Sequence, residues 1–244
     1  MAMNLQATLE RSFISHLVAT PKGRAHLLNQ VADAESNGES KIFDSALALV
    51  DDPELRTLIA RHAADEVEHA RMFEERRDAQ GFAIGPAPEH LRLVARLDAK
   101  LGGFFARGVR TRRDVMDAYV MLQVVEERAC TQFPVFAEAF RTVDPGTART
   151  FDSVAKDEER HLKYCRAIAK RYAPSDVTYA ATLAEMRASE AEVFVENTRA
   201  GLAWVLDGGY TDLSPLGRAG WRSLAVVGRV LETSRPTPFS KLAA

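Results

Sequence analysis

Asp65-Glu66-Val67-Glu68-His69 and Asp157-Glu158-Glu159-Arg160-His161 are two copies of one pattern, Asp-Glu-x-x-His. A lone glutamate precedes each copy at the same distance, Glu35 before the first and Glu127 before the second. Glu35 and Glu127, Glu66 and Glu158, and His69 and His161 are each 92 residues apart, as are Asp52-Pro53 and Asp144-Pro145. A spacing that recurs across four landmarks marks an internal duplication. In each copy the Glu and the His are three residues apart, which on a helix places them on one face.

The stretches around the two copies read as helices. Apolar residues recur at helical spacing, with Pro and Gly as punctuation, and strand signals are nearly absent. A short amphipathic helix is expected over 4–19, stopped near Pro21-Lys22-Gly23. Long helices are expected over about 24–50, 53–80, 113–142 and 147–172. Asp52-Pro53 and Asp144-Pro145 open the second and fourth, since Asp caps a helix and Pro suits its first turn. Residues 89–112 read as a helical crossover broken at Gly102-Gly103. The expected organisation is an N-terminal short helix (1–23), an all-α four-helix bundle of two hairpins (24–175) and a C-terminal helical extension (176–244). In the extension, helices are expected over 177–206 and 214–233, with order ending at Arg235-Pro236-Thr237-Pro238. The last helix is amphipathic through Leu216, Trp221, Leu224, Val227 and Val230. It suits packing on the bundle or on a partner subunit, which leaves room for a homodimer, or contact with a membrane surface.

Four carboxylates and two imidazoles at repeated helical spacing are the donor set of a two-metal site in a helical bundle. Glu35, Glu66, His69, Glu127, Glu158 and His161 are therefore the expected metal ligands. Glu35 lies between Val31 and Ile42 on the apolar stripe, where an uncompensated carboxylate is costly and a bound cation offsets the cost. Asp65 and Asp157 each sit four residues before a His. They are read as outer carboxylates that accept the other imidazole N–H, from the His across the bundle. Glu39, Tyr164 and Cys130 are within a turn of ligand positions and are further site candidates. Cys165, like Cys130 and Tyr164, also suits a core position. Glu126 is one residue off the repeat and reads as a surface or outer acid. Phe43, Phe73, Val124, Phe133 and Phe136 suit either a substrate pocket or ordinary core.

The chain of 244 residues carries a net charge of −2, which gives no global field for nucleic acid or anionic membrane. Arg107, Arg110, Arg112 and Arg113 form a local basic run that suits phosphate contacts or a solvated helix start. The two cysteines, Cys130 and Cys165, form no CxxC pair, which excludes a rubredoxin-type iron site or a zinc ribbon. Sparse thiols and the lack of a signal-peptide or transmembrane pattern make a cytoplasmic location the expectation.

Over roughly residues 24–172 the sequence resembles the ferritin-like di-iron carboxylate superfamily. It is most similar to the di-iron tRNA hydroxylases that oxidise the prenyl group of a modified adenosine beside the anticodon. The similarity lies in Val50-Asp51-Asp52-Pro53-Glu54-Leu55, in Val125-Glu126-Glu127-Arg128-Ala129-Cys130 through Phe133, and in Glu158-Glu159-Arg160-His161. Rubrerythrins and aldehyde-deformylating oxygenases share the ligand pattern but match these flanks less well. The resemblance implies two iron ions, with Glu66 and Glu158 bridging as the catalytic carboxylates and Glu35 and Glu127 terminal. It also implies an O2-activating hydroxylase or monooxygenase, served by an external electron donor, acting on an organic group that tRNA could carry. Ligand type alone does not separate Fe/Fe from Mn/Fe. A rubrerythrin-like peroxidase or ferroxidase, and a non-catalytic metal-binding interaction module, use the same residues.

Overall fold

The computed structural model describes residues 5–37, 40–86 and 88–232, with side chains over 8–36, 40–86 and 88–224. The described chain is all-α: α1 (Leu5–Val18), α2 (Pro21–Asn37), α3 (Ser40–Leu49), α4 (Pro53–Asp78), α5 (Leu93–Lys100), α6 (Phe104–Arg107), α7 (Arg112–Phe140), α8 (Pro145–Tyr172), α9 (Asp176–Asp207) and α10 (Pro215–Glu232). One 3-10 turn, Glu89–Leu91, precedes α5. Over the expected helix 24–50 the described residues are helical as α2 and α3, and the helix begins earlier because Pro21 opens α2 instead of stopping α1. Glu39 and the Arg235–Pro238 terminus lie outside the described residues.

The long helices begin where the caps put them. Asp52 accepts hydrogen bonds from the backbone N–H of Glu54 and Leu55 at the start of α4. Asp144 accepts from Thr147 N at the start of α8. Thr111 and Asp114 form a reciprocal capping box on α7. The crossover breaks at Gly102 and Gly103, both in the left-handed region (φ 68° and 77°), where a side chain would be strained.

Asp144 also joins the two halves. It accepts from Arg76 Nη2 (2.7 Å) and Gln80 Nε2 (3.0 Å) at the end of α4. Asp144→Ala therefore removes a cap and two cross-links, and a loss of about 2 kcal/mol is expected. A lowered urea midpoint with an unchanged m-value would show it; an unshifted midpoint would contradict it.

α2 and α3 pack with α4 as one hairpin, α7 with α8 as the other, and the hairpins meet chiefly through α4 and α8. Two apolar clusters fill the interior. One holds Ile42, Phe43, Ile59, Tyr119, Leu122 and Tyr164. The other holds Leu28, Val31, Phe73, Phe133, Phe140 and Phe151. Each of α4, α7 and α8 crosses from one cluster to the other, as do α2 and α3 together. The stretches between the clusters are where the His and Glu residues fall.

α9 lies against α7 and α5. Its contact with α7 is polar as well as apolar. Arg128 donates two hydrogen bonds to the buried Glu190 (2.9 and 2.8 Å), and its guanidinium lies 3.8 Å from the Phe194 ring centroid. α10 touches the rest through Trp221, edge-on to Phe13 at 5.2 Å, and through an Arg222–Asp207 ion pair. Leu216 and Leu224 on α10 are exposed. The side chains of Val227 and Val230 lie outside the described residues. No helix among the described residues is long and apolar enough to cross a membrane.

Candidate metal centre

Between the two apolar clusters, α2, α4, α7 and α8 bring together buried carboxylates and imidazoles in two groups. Glu35, Glu66, His69 and Glu158 form one; His62, Glu66, Glu126 and His161 form the other. Within each group, one donor atom from each residue lies within 4.8 Å of all the others. Glu66 belongs to both. Its Oε1 is 3.0 Å from His62 Nε2 and 3.3 Å from His161 Nδ1. Glu158 divides its oxygens, placing Oε1 3.3 Å from His69 Nδ1 and Oε2 3.3 Å from His161 Nδ1. Glu66 Oε1 also lies 3.9 Å from His69 Nδ1, so both carboxylates face imidazoles of both groups.

The donor atoms converge without satisfying one another. His62 Nε2 is 3.0 Å from Oε1 of both Glu66 and Glu126. Yet both His62 nitrogens, both His69 nitrogens, Glu66 Oε1 and Glu158 Oε1 are buried without a hydrogen-bond partner. Buried polar atoms are almost always paired, so orphaned atoms aimed at common points call for a cation. Neutral imidazole nitrogens and carboxylate oxygens in this mixture are donors for divalent transition metals. The residues fit a pair of divalent ions.

The outer carboxylates cross between hairpins. Asp65 Oδ2 on α4 is 3.2 Å from His161 Nε2 on α8, and Asp157 Oδ2 on α8 is 3.5 Å from His69 Nε2 on α4. Asp65 holds the far nitrogen of His161, Asp157 lies beside that of His69, and in both rings Nδ1 faces the cluster. Arg160 ties the pair together, donating to Asp65 at 2.7 Å and also to Asp157. An imidazole held this way has a fixed tautomer and greater basicity as a ligand.

Five of the six expected ligands meet; Glu127 does not. It turns toward α9, where Arg187 Nε and Nη2 donate to it at 2.9 and 2.6 Å and Gln123 Nε2 donates at 3.0 Å. Glu126, 3% exposed, enters the cluster instead. The reason is helical phase. One residue along α7 rotates a side chain by about 100°, so Glu127 faces α9 where Glu126 faces the cluster. Glu126 shares its face with Tyr119 and Phe133, seven residues away on either side, and both lie in the apolar clusters.

His62 is the other departure. It is fully buried, its ring tilted against Phe43 at 4.6 Å and His161 at 3.9 Å between centroids. The sequence carries a signal for it: His62, Glu66 and His69 are spaced 4 and 3 residues apart on one face of α4. The 92-residue repeat conceals it, because its counterpart in the second half is Val154.

Tyr164 is buried, with its ring 5.2 Å from His62 and its hydroxyl unpartnered. Burial raises its pKa far above the ordinary value, so it stays a phenol. Burial, with the negative charge of Glu158 and Glu159, pushes the Cys130 thiol up to about 12, against thiolate chemistry. Cys165 is fully buried in the upper apolar cluster, the one around Phe43. Phe43, Phe73, Val124, Phe133 and Phe136 are core residues of the two clusters. A cleft of about 290 Å³ between α3 and α5, lined by Lys41, Arg92 and Asp98 among others, includes no His or Glu of the two candidate metal groups.

Without metal, protons help balance this buried charge. Burial lowers the His69 pKa, but Glu158 and Glu35 outweigh it and raise it to about 11. His161 rises to about 9 against the same burial cost, through Glu158 and Glu66. Burial, then the charge of Glu66, raises Glu35. Burial raises Glu66, yet the neighbouring His161 and His62 imidazoles bring it down to about 2. Metal ligation needs neutral imidazoles, so loading at pH 7.5 must expel the His69 and His161 protons. Apparent affinity is therefore expected to rise with pH and to rise less steeply above about 9, where His161 has already lost its proton. Calorimetric titration in buffers of different ionisation enthalpy measures the release; a buffer-independent heat would contradict it.

Comparison with known protein families, with curated proteins and with solved structures finds no match for this chain.

Proposed function

We propose that this chain is a non-haem dinuclear-metal oxidoreductase of ferritin-like architecture, an O2-activating hydroxylase or monooxygenase acting on an organic substrate. The observation that carries the reading is the pair of buried His/Glu groups sharing Glu66, with imidazole and carboxylate atoms left without hydrogen-bond partners. The ferritin-like assignment rests on the two hairpins and the duplicated Asp-Glu-x-x-His pattern.

Iron bound at both groups would supply the electrons for O2 reduction and the oxidant for a C–H bond. The protein's own part is positioning. Glu66 and Glu158 would hold ions in the two groups, while Asp65 and Arg160 orient His161 and Asp157 stands beside His69 Nε2. The apolar clusters above and below exclude water from the remaining approaches. Glu35 and Glu66 keep side-chain exposures of 11% and 13%, so they form the rim at which a substrate arrives. The Tyr164 hydroxyl is available to donate a hydrogen bond beside His62. Reducing equivalents come from an external donor.

A small organic substrate suits the surface better than one carried on tRNA. The basic run is largely neutralised, with Arg107 paired to Asp114, Arg112 to Asp51 and Arg113 to Asp117. Such pairs must be broken before the same groups can hold phosphates.

Anaerobic loading with Fe2+, followed by O2 or by hydrogen peroxide, tests the reading by absorbance and oxygen consumption. Two ions per chain and O2 uptake that an organic substrate accelerates support it. Preferential peroxide turnover would assign the centre to a peroxidase, and failure to take up iron would overturn the metal reading.

A further inference from the structure

The two halves of the centre are chemically unequal. The His62/Glu66/Glu126/His161 group offers two imidazoles and two carboxylates; the Glu35/Glu66/His69/Glu158 group offers one imidazole and three carboxylates. Their surroundings differ in the same sense. His62, Glu126 and His161 have side-chain exposures of 0%, 4% and 0%, whereas Glu35 is 11% exposed beside His69 and Glu158 at 3% each; Glu66, common to both groups, is 13% exposed. Phe43 covers His62 on one side and Tyr164 stands edge-on to it. In the duplicated half the position equivalent to His62 is Val154, which packs in the lower apolar cluster, the one around Phe151, and brings no donor to the Glu35 group.

From this asymmetry we infer that the centre holds two functionally different ions: a retained ion in the sealed two-imidazole cage built on His62, and an exchangeable ion in the carboxylate-rich cage that opens at Glu35. The inference rests on the dinuclear reading and adds to it which ion is which. Imidazole raises preference for iron, cobalt and zinc over manganese, while carboxylate oxygens accept manganese readily. The sealed cage thus selects the later transition metal, and the open cage tolerates Mn2+. Retention also follows from burial. An ion leaving the His62 cage uncovers the charge of Glu126, whose side chain is 4% exposed, whereas one leaving the other cage uncovers Glu35, which is 11% exposed.

Co2+ is the probe, since its ligand-field bands report the donor set of each cage. The full chain is loaded anaerobically with two equivalents of Co2+ and challenged with a chelator, following the visible bands and the residual metal content. The expected result is biphasic release, with one ion lost at least about tenfold faster than the other; removing a mere outer partner of a ligand already costs roughly 10–100-fold in affinity. Glu35→Gln should remove the fast phase and leave one slowly released ion. His62→Gln should abolish the slow phase while leaving two ions bound at saturating Co2+. Loading with equimolar Co2+ and Mn2+ should place Mn2+ in the fast-release population.

Equal release of both ions from the unmodified protein, or slow release that survives His62→Gln in a variant with unchanged helicity by circular dichroism, would overturn the inference while leaving the dinuclear reading intact. A protein that binds no Co2+ would overturn both.

Discussion

Glu126→Gln is expected to cost the protein one of its two metal ions, while Glu127→Gln, one residue along the same helix, keeps both. Glu126 Oε1 sits 3.0 Å from His62 Nε2 and 3.9 Å from His161 Nδ1, inside the sealed cage. An amide there is close to isosteric but carries no charge to offset a divalent cation. The loss should be no smaller than the roughly 10–100-fold in affinity that outer partners of a ligand command. Folding should survive, because the change removes one charge from a cluster in which Glu35, Glu66 and Glu158 already repel each other. Glu127→Gln acts elsewhere. It weakens the two hydrogen bonds from Arg187 and the attachment of α9, at a cost of about 1–3 kcal/mol. Metal content measured beside thermal stability separates the two effects. If Glu127→Gln lost an ion and Glu126→Gln lost none, the assigned rotation of α7 would be wrong.

Phe151→Ala should cost about 3–5 kcal/mol of stability, the upper end of the range for a single core truncation. Phe151 is fully buried and lies among four other rings, with centroids 4.8 Å from Phe73, 5.5 Å from Phe133, 5.5 Å from Phe136 and 5.8 Å from Phe140. Together the five rings come from α4, α7 and α8, so the cavity opens where the two hairpins are joined below the metal cluster. Rigid rings on three helices collapse poorly into the gap, which keeps the cavity contribution large. Phe82→Ala, at a side chain 45% exposed, is the matched control and should move stability by no more than about 0.5 kcal/mol. Denaturant midpoints of the two variants measure the difference; comparable values would mean that the lower cluster is not the cohesive element the packing describes.

Much of the architecture is legible in the sequence because its signals are local. Asp52-Pro53 and Asp144-Pro145 mark helix starts through capping chemistry, and the structure places α4 and α8 there. The Glu-x-x-His pairs share a face wherever the helix is continuous, so Glu66 with His69 and Glu158 with His161 need no tertiary information. Glu127 is misplaced by the repeat because α7 is buried on two sides. Its second buried face, with Gln123 bonded by Tyr179 at 2.7 Å, meets α9 and not the metal cluster. Burial on both faces erases the amphipathic stripe that would choose between Glu126 and Glu127. His62 escapes the sequence reading for the opposite reason: it breaks the symmetry that makes the other ligands visible.

The most direct test of the central claim is anomalous diffraction from crystals of the metal-loaded protein, collected at the absorption edge of the bound ion. The account predicts two peaks per chain, one among Glu35, Glu66, His69 and Glu158, the other among His62, Glu66, Glu126 and His161. A single peak, peaks coordinated by Glu127, or no peak between the two apolar clusters would contradict it.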